Sequence, residues 1–181
     1  VSTVVKNIFK DGRTITRLLK NKSKVTGTDC KTAPRSELMA CLLASRVYDI
    51  LKYELKDFLD NFKGKVGFNF VGDSMIILHQ IRQESYKFKM WTQSKIQEIQ
   101  ELTKKAEEIS PEWFHCASED NVADILTRPY MVKNKLPWEN DLPDIELKNM
   151  TGEKVDVTDL PEINKKNLKI NTMKITPEES V

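Results

Sequence analysis

From Val4 to Phe9 the chain carries a short β-rich run (Val4, Val5, Ile8, Phe9), and a second follows in Thr14, Ile15, Thr16, Leu18 and Leu19. Between them lies Asp11-Gly12, a pair that favours the positive backbone φ of a hairpin turn. The pattern predicts two antiparallel strands. The polar stretch from Asn21 to Lys31, with Gly27 inside it, predicts a loop. Pro34 then suits the first turn of a helix, where its missing N–H costs little. From Arg35 to Phe58 there is no glycine or proline, and Leu38, Cys41, Leu42 and Ser45 fall on one helical stripe. Leu43, Val47 and Ile50 fall on another, so this helix is expected to be buried along more than one side.

Gly64 ends that pattern. Val66, Phe68, Phe70 and Val71 then predict a buried strand leading into Gly72-Asp73-Ser74, and Met75 to Ile81 predicts a helix. A second long helix is expected from Lys87 to Lys105, where Phe88, Trp91, Ile99 and Leu102 recur at helical spacing with Ile96 beside them. Glu112 to Cys116 reads as a short strand, and Asn121 to Thr127 as a short helix stopped by Pro129. Beyond Pro129, prolines recur at 137, 143, 161 and 177 among lysine, asparagine and acidic residues, without stable periodicity after Leu147. The expected organisation is an α/β domain over residues 1–129 and a linker or partly disordered tail over 130–181. Trp138 and Leu142 are the tail residues suited to docking back on the domain.

Composition narrows the function classes. A chain of 181 residues with 39% hydrophobic positions supports one core plus a tail. The net charge of +2 is too small to argue for nucleic-acid binding, so that function must rest on local patches. Cys30, Cys41 and Cys116 are an odd number and lack the paired spacing of a zinc site, which points to a reducing compartment. No apolar run approaches the ~20 residues of a membrane-spanning helix. A chain that opens on Val1 in strand-like material is expected to be a piece of something longer.

Three carboxylates are placed where chemistry could use them. Glu37 lies one turn into the first long helix, Asp73 at the end of the most hydrophobic strand, and Asp124 in the short helix near Asn121. An acid at the end of a buried strand is poorly solvated unless a cation or donor meets it. Ligands of open α/β sheets also gather at the carboxyl ends of strands. Converging acids suit hard cations, and two Mg²⁺ ions ~3.5–4 Å apart can clamp the attacking and leaving oxygens of a phosphoryl displacement. Each acid singly has an ordinary role as well: Asp73 as a helix N-cap, Glu37 as a first-turn charge, Asp124 as a solvated helix residue.

The phrase Thr32-Ala33-Pro34-Arg35-Ser36-Glu37-Leu38-Met39-Ala40-Cys41 resembles the first helix of the ribonuclease H domain in BEL/Pao retrotransposons. Leu18 to Val25 is similar to that family's third strand. Val71-Gly72-Asp73-Ser74 resembles the strand end that supplies its next aspartate. Trp91 to Leu102 looks like its central helix, and Trp113 to Cys116 with Asp120 to Arg128 like its last strand and acidic helix. The resemblance runs from about residue 3 to residue 129 in family order. It implies a ribonuclease H-like mixed sheet flanked by helices, N-terminally truncated and followed by a linker. It also implies cleavage of the RNA strand of RNA–DNA hybrids by two Mg²⁺ (or Mn²⁺) ions, with Glu37, Asp73 and Asp124 as catalytic metal ligands.

Two departures qualify the resemblance. The family's first strand and its aspartate should precede Val4–Phe9, and Asp11 in the hairpin turn is a poor substitute, so weak or no activity is expected of this chain alone. The loop Cys116 to Asp120 has no histidine where many ribonucleases H place one, and His115 and His79 read as structural. Candidates for gripping the hybrid are Arg35, Ser74 and Asn121, with Lys87 and Lys89 (and Lys95) interleaved among Tyr86, Phe88 and Trp91. The other reading of the last group is an amphipathic helix with core aromatics and solvated lysines, and it is the preferred one for Trp91. Lys20, Lys22 and Lys24 could face phosphates or protect a sheet edge. The partners implied are the hybrid and the reverse transcriptase and integrase regions of one polyprotein, with no membrane. The implied setting is intracellular, in the cytoplasm, a virus-like particle or the nucleus. The alternative is a catalytically inactive retroelement-derived nucleic-acid-binding or scaffold module.

Overall fold

A computed structural model of the chain describes residues 1–25, 27–28, 30–104, 111–121, 123–124, 148–149 and 155–172. The first β-rich run becomes β1 (Ser2–Ile8), paired antiparallel with β2 (Thr14–Asn21). Ile8 faces Thr14, so residues 9–13 form the connection. It is longer than a two-residue turn centred on Asp11-Gly12. Gly12 takes the left-handed conformation (φ 84°) and its N–H donates to Phe9 O at 3.0 Å. The Asp11 carboxylate is held locally, accepting from Arg13 N at 3.1 Å and Arg13 Nε at 2.6 Å.

Helix α1 (Ala33–Glu54) starts at the threonine–alanine–proline phrase, with Pro34 in its first turn as expected. The backbone breaks at Leu55, and α2 (Lys56–Asn61) continues beyond it, so the predicted single helix is two. Strand β3 (Asn69–Gly72) is shorter than the apolar run that predicts it. Phe70 is buried but Val71 is 42% exposed, so β3 is covered on one face only. Helix α3 (Met75–Arg82) follows, then a 3-10 turn over Ser85–Lys87 and α4 (Met90–Leu102). Phe88 precedes α4 and is fully buried, bridging to Ile163 rather than extending the helical stripe. Strand β4 (Glu112–His115) lies parallel to β3, with Asn69 opposite Glu112 and Gly72 opposite His115. β5 (Lys148–Asn149) runs antiparallel to β4.

The chain is mixed α/β, as expected. Among the described residues its strands form two small sheets, β1-β2 and β3-β4-β5, rather than one. Parallel neighbours cannot be joined by a tight turn, and α3 and α4 supply the crossover. One core ties these layers. Leu38 and Leu42 of α1 meet Ile77, Leu78 and Ile81 of α3 and Ile96 and Ile99 of α4. Ser45 is wholly buried in the same stripe and donates to Cys41 O at 3.0 Å, which satisfies its hydroxyl. Phe70 stacks on Trp113 with centroids 4.4 Å apart, and Tyr48 meets Phe68 and Phe70 edge-on.

The expected tail differs most. The boundary at 129, and Trp138 and Leu142, lie outside the described residues. Residues 155–172, however, return to the fold and end in α5 (Lys165–Thr172). Leu160 and Ile163 are buried in the main core, and buried Gln80 donates from Nε2 to Pro161 O at 2.8 Å. The physical reason is an apolar pair three residues apart within polar sequence, too sparse to register as periodicity yet enough to seal one gap. Ile163→Ala should therefore lower stability by ~2–5 kcal/mol, as a core truncation does, and Leu42→Ala by a similar amount. Urea unfolding of the full chain checks both, and an unchanged midpoint for the Ile163 variant would assign this segment back to a tail.

Candidate functional site

The carboxyl end of β3 is where the chemistry-bearing side chains collect. Asp73 follows the strand directly and is half-buried. The parallel register carries past Gly72 and His115, and Cys116 N–H donates to Gly72 O at 3.1 Å. His115 Nε2 lies 3.3 Å from Asp73 O, so the imidazole braces the backbone that presents the acid. From the other side, Glu37 on the first turns of α1 accepts the Ser74 hydroxyl at Oε2, 2.5 Å away. Ser74 thus bridges α1 to the start of α3. Asp124 sits in a local turn in which its N–H donates to Asn121 O at 3.0 Å and Ala123 N–H to Asn121 Oδ1 at 3.2 Å.

Two thiols, Cys41 half-buried and Cys116 buried, lie within reach of these charges. Burial, then the negative charges of Glu37 and Asp73, push the Cys41 thiol up to about 12. Burial, then the charges of Asp73, Asp120 and Asp124, push Cys116 up to about 11 against a small opposing backbone hydrogen bond. Asp73 acts on both thiols, Glu37 on one and Asp124 on the other. Of the three predicted acids, Glu37 is tied to Ser74 beside Asp73, and Asp124 lies in the turn that follows β4. Both thiols stay protonated at neutral pH, which makes them poor nucleophiles and poor metal ligands.

The predicted cations are engaged within the chain. Arg35 pairs with Glu162, its NH2 group 3.2 Å from Oε1, and its guanidinium lies 4.7 Å from the Trp91 ring centre. Lys89 Nζ reaches Oε2 of the same Glu162 at 3.4 Å. Lys87 pairs with Glu84 at 2.7 Å, in the 3-10 turn rather than on α4. Lys95 lies 6.0 Å from the Trp91 ring centre, and Lys20 pairs with Glu54 at 3.5 Å. Sequence reasoning missed Glu162 entirely; His115, read as structural, braces the Asp73 backbone. The one signal for Glu162 was its place between Leu160-Pro161 and Ile163.

Glu37, Asp73 and Asp124 are hard oxygen donors of the kind Mg²⁺ takes. Among the described residues, however, no three His, Cys, Asp or Glu side chains gather closely enough to hold a metal ion. One Glu37 oxygen is also already committed to Ser74. As they stand, the described donors do not fit a two-ion centre. No helix among the described residues is long and apolar enough to cross a membrane. No protein-family model matches the chain, and neither a curated protein nor a solved structure matches it.

The arrangement predicts a pattern of thiol reactivity. Asp73→Asn should speed alkylation of both Cys41 and Cys116 in the folded chain. Glu37→Gln should speed Cys41 alone, and Asp124→Asn Cys116 alone. Each gain should be at most about tenfold, since one unit of pKa is tenfold in thiolate. Site-resolved mass spectrometry after iodoacetamide treatment at pH 8.5 reads this, and an Asp73→Asn effect confined to one thiol would refute the influence of Asp73 on both.

Proposed function

We propose that the chain is the ribonuclease H-like part of a retrotransposon polyprotein of the BEL/Pao type, and that its ligand is an RNA–DNA hybrid. The observation that carries this reading is Asp73 at the carboxyl end of β3, with Glu37 of α1 bound to the neighbouring Ser74 and His115 of the parallel strand braced on its backbone. Nothing in their separate sequence positions requires that they meet. The order of elements supports the same reading: a hairpin, a long helix bearing Glu37, a strand ending in Asp73, two helices and a parallel strand leading to Asp124. Hybrid recognition by such a module rests on backbone phosphates and on 2′-hydroxyls across the wide minor groove. Arg35, Lys87 and Lys89 are the cations proposed for it, with Ser74 and Asn121 at the acidic end.

Hydrolysis by two divalent ions is the activity of the resemblance, with Glu37, Asp73 and Asp124 as its ligands. That no three-donor cluster forms among the described residues favours a second reading for the chain alone, a hybrid-binding module without turnover. One experiment separates them. Fluorescence anisotropy with a labelled RNA–DNA hybrid should show binding that weakens steeply with salt and exceeds binding to a DNA duplex of the same sequence. In 5 mM Mg²⁺, cleavage of the RNA strand that disappears in Asp73→Asn assigns the nuclease. Binding without cleavage assigns the module, and equal affinity for hybrid and DNA duplex rejects both.

A further inference from the structure

The segment that closes over the start of α4 delivers a carboxylate to the seat formed by Arg35 and Lys89. Its docking does not need that carboxylate. Leu160 and Ile163 anchor it in the core. Main-chain bonds hold it too: Lys89 N–H donates to Glu162 O and Asn164 N–H to Lys87 O, both at 2.8 Å. Asn167 Nδ2 adds a bond to Tyr86 O at 2.6 Å. Yet Glu162 has a left-handed backbone (φ 62°), the only non-glycine residue given it among those described. Glycine or asparagine suits that conformation far better than glutamate. The side chain is 18% exposed and meets Arg35, itself 26% exposed, together with Lys89.

The seat has the parts that recognise one oxyanion: a guanidinium fork, an ammonium, and an aromatic wall behind the guanidinium. A phosphate diester meets the same donors. Burial alone would push the Glu162 carboxyl up, but the hydrogen bond and charge of Arg35, with those of Lys89, hold it below its ordinary value. It is therefore charged at neutral pH, as a competitor for a phosphate must be. Arg35 and Glu37 stand two residues apart on α1 and so leave it on different sides, Glu37 toward Ser74 and Arg35 toward Glu162.

We propose that Glu162 is an internal stand-in for a nucleic-acid phosphate, filling the Arg35–Lys89 seat in the free chain and giving it up when a backbone phosphate binds. This rests on the hybrid-binding reading above and adds regulation of that same surface. Segment 160–168 then acts as a strap whose acidic tip is displaced from the site while its apolar anchors hold.

The test uses the full chain and a fluorescein-labelled RNA–DNA hybrid at fixed low salt. Wild type is compared with Glu162→Gln, with Glu162→Asn (which tolerates the left-handed backbone), and with Asp60→Asn as a remote loss of one negative charge. Both Glu162 variants should bind about tenfold more tightly than wild type, and the salt dependence should steepen by about one phosphate. Arg35→Ala placed on Glu162→Gln should cancel the gain. Unfolding midpoints identify any variant that has lost its fold, and hydrogen exchange at the Asn164 amide reads strap docking independently. Exchange there should stay slow in wild type when hybrid is added, because the apolar anchors keep the segment docked; loss of that protection would overturn tip-only displacement. Measurable wild-type binding that neither folded Glu162 variant improves, or an equal gain in Asp60→Asn, overturns the strap and leaves the hybrid reading standing. No binding by wild type or by any variant overturns the hybrid reading, and the strap with it.

Discussion

The short parallel pairing of β3 with β4 is the constraint on which the candidate site depends. Four residues on each strand are too few to hold a register by main-chain bonds alone, and β3 is covered on one face only. The aromatic cluster makes up the difference. Phe70 stacks on Trp113 across the pair while Tyr48 presses edge-on from α1, contacts worth about 0.5–1.5 kcal/mol each beyond their burial. Arg82, in the last turn of α3, also donates to Trp113 O at 2.9 Å, which ties the crossover to the strand it feeds. Slipping this register by one residue would exchange Phe70 for Val71 in the core. It would also move His115 and Cys116 away from Asp73.

Burial of one face of α1 then does two jobs. The stripe of Leu38, Cys41, Leu42 and Ser45 closes the core against α3 and α4. The same helix holds Glu37 at the edge of that stripe, where Ser74 receives it, and Arg35 a further two residues back, where Glu162 receives it. An acidic and a basic surface thus begin within one helical turn and diverge, one toward the end of β3 and the other toward α4.

The main elements were legible because each rests on a local pattern. The hairpin follows from two β-rich runs around Gly12, α1 from its proline start and apolar stripe, and α3 and β4 from short apolar runs with clear ends. The places where the reading fell short share a different cause. Phe88 fits the α4 spacing but is drawn out of it to meet Ile163, more than seventy residues away. Val71 belongs to an apolar run yet faces outward, because nothing in one strand's sequence says whether its second face is covered. Leu160 and Ile163 are two isolated apolar residues whose partners lie elsewhere in the chain.

By itself the sequence determined the α/β class, the order of most elements and the identity of the acids, since helical stripes, turn residues and side-chain types are properties of neighbours along the chain. Only the tertiary structure decided that Ser74, beside Asp73, binds Glu37 of α1 rather than standing open. It also decided that Arg35 and Lys89 are met by a carboxylate from the far end of the chain. These are contacts between distant segments, and they exist because burial of a shared core fixes those segments in space. No local pattern encodes the charges that such burial then brings face to face.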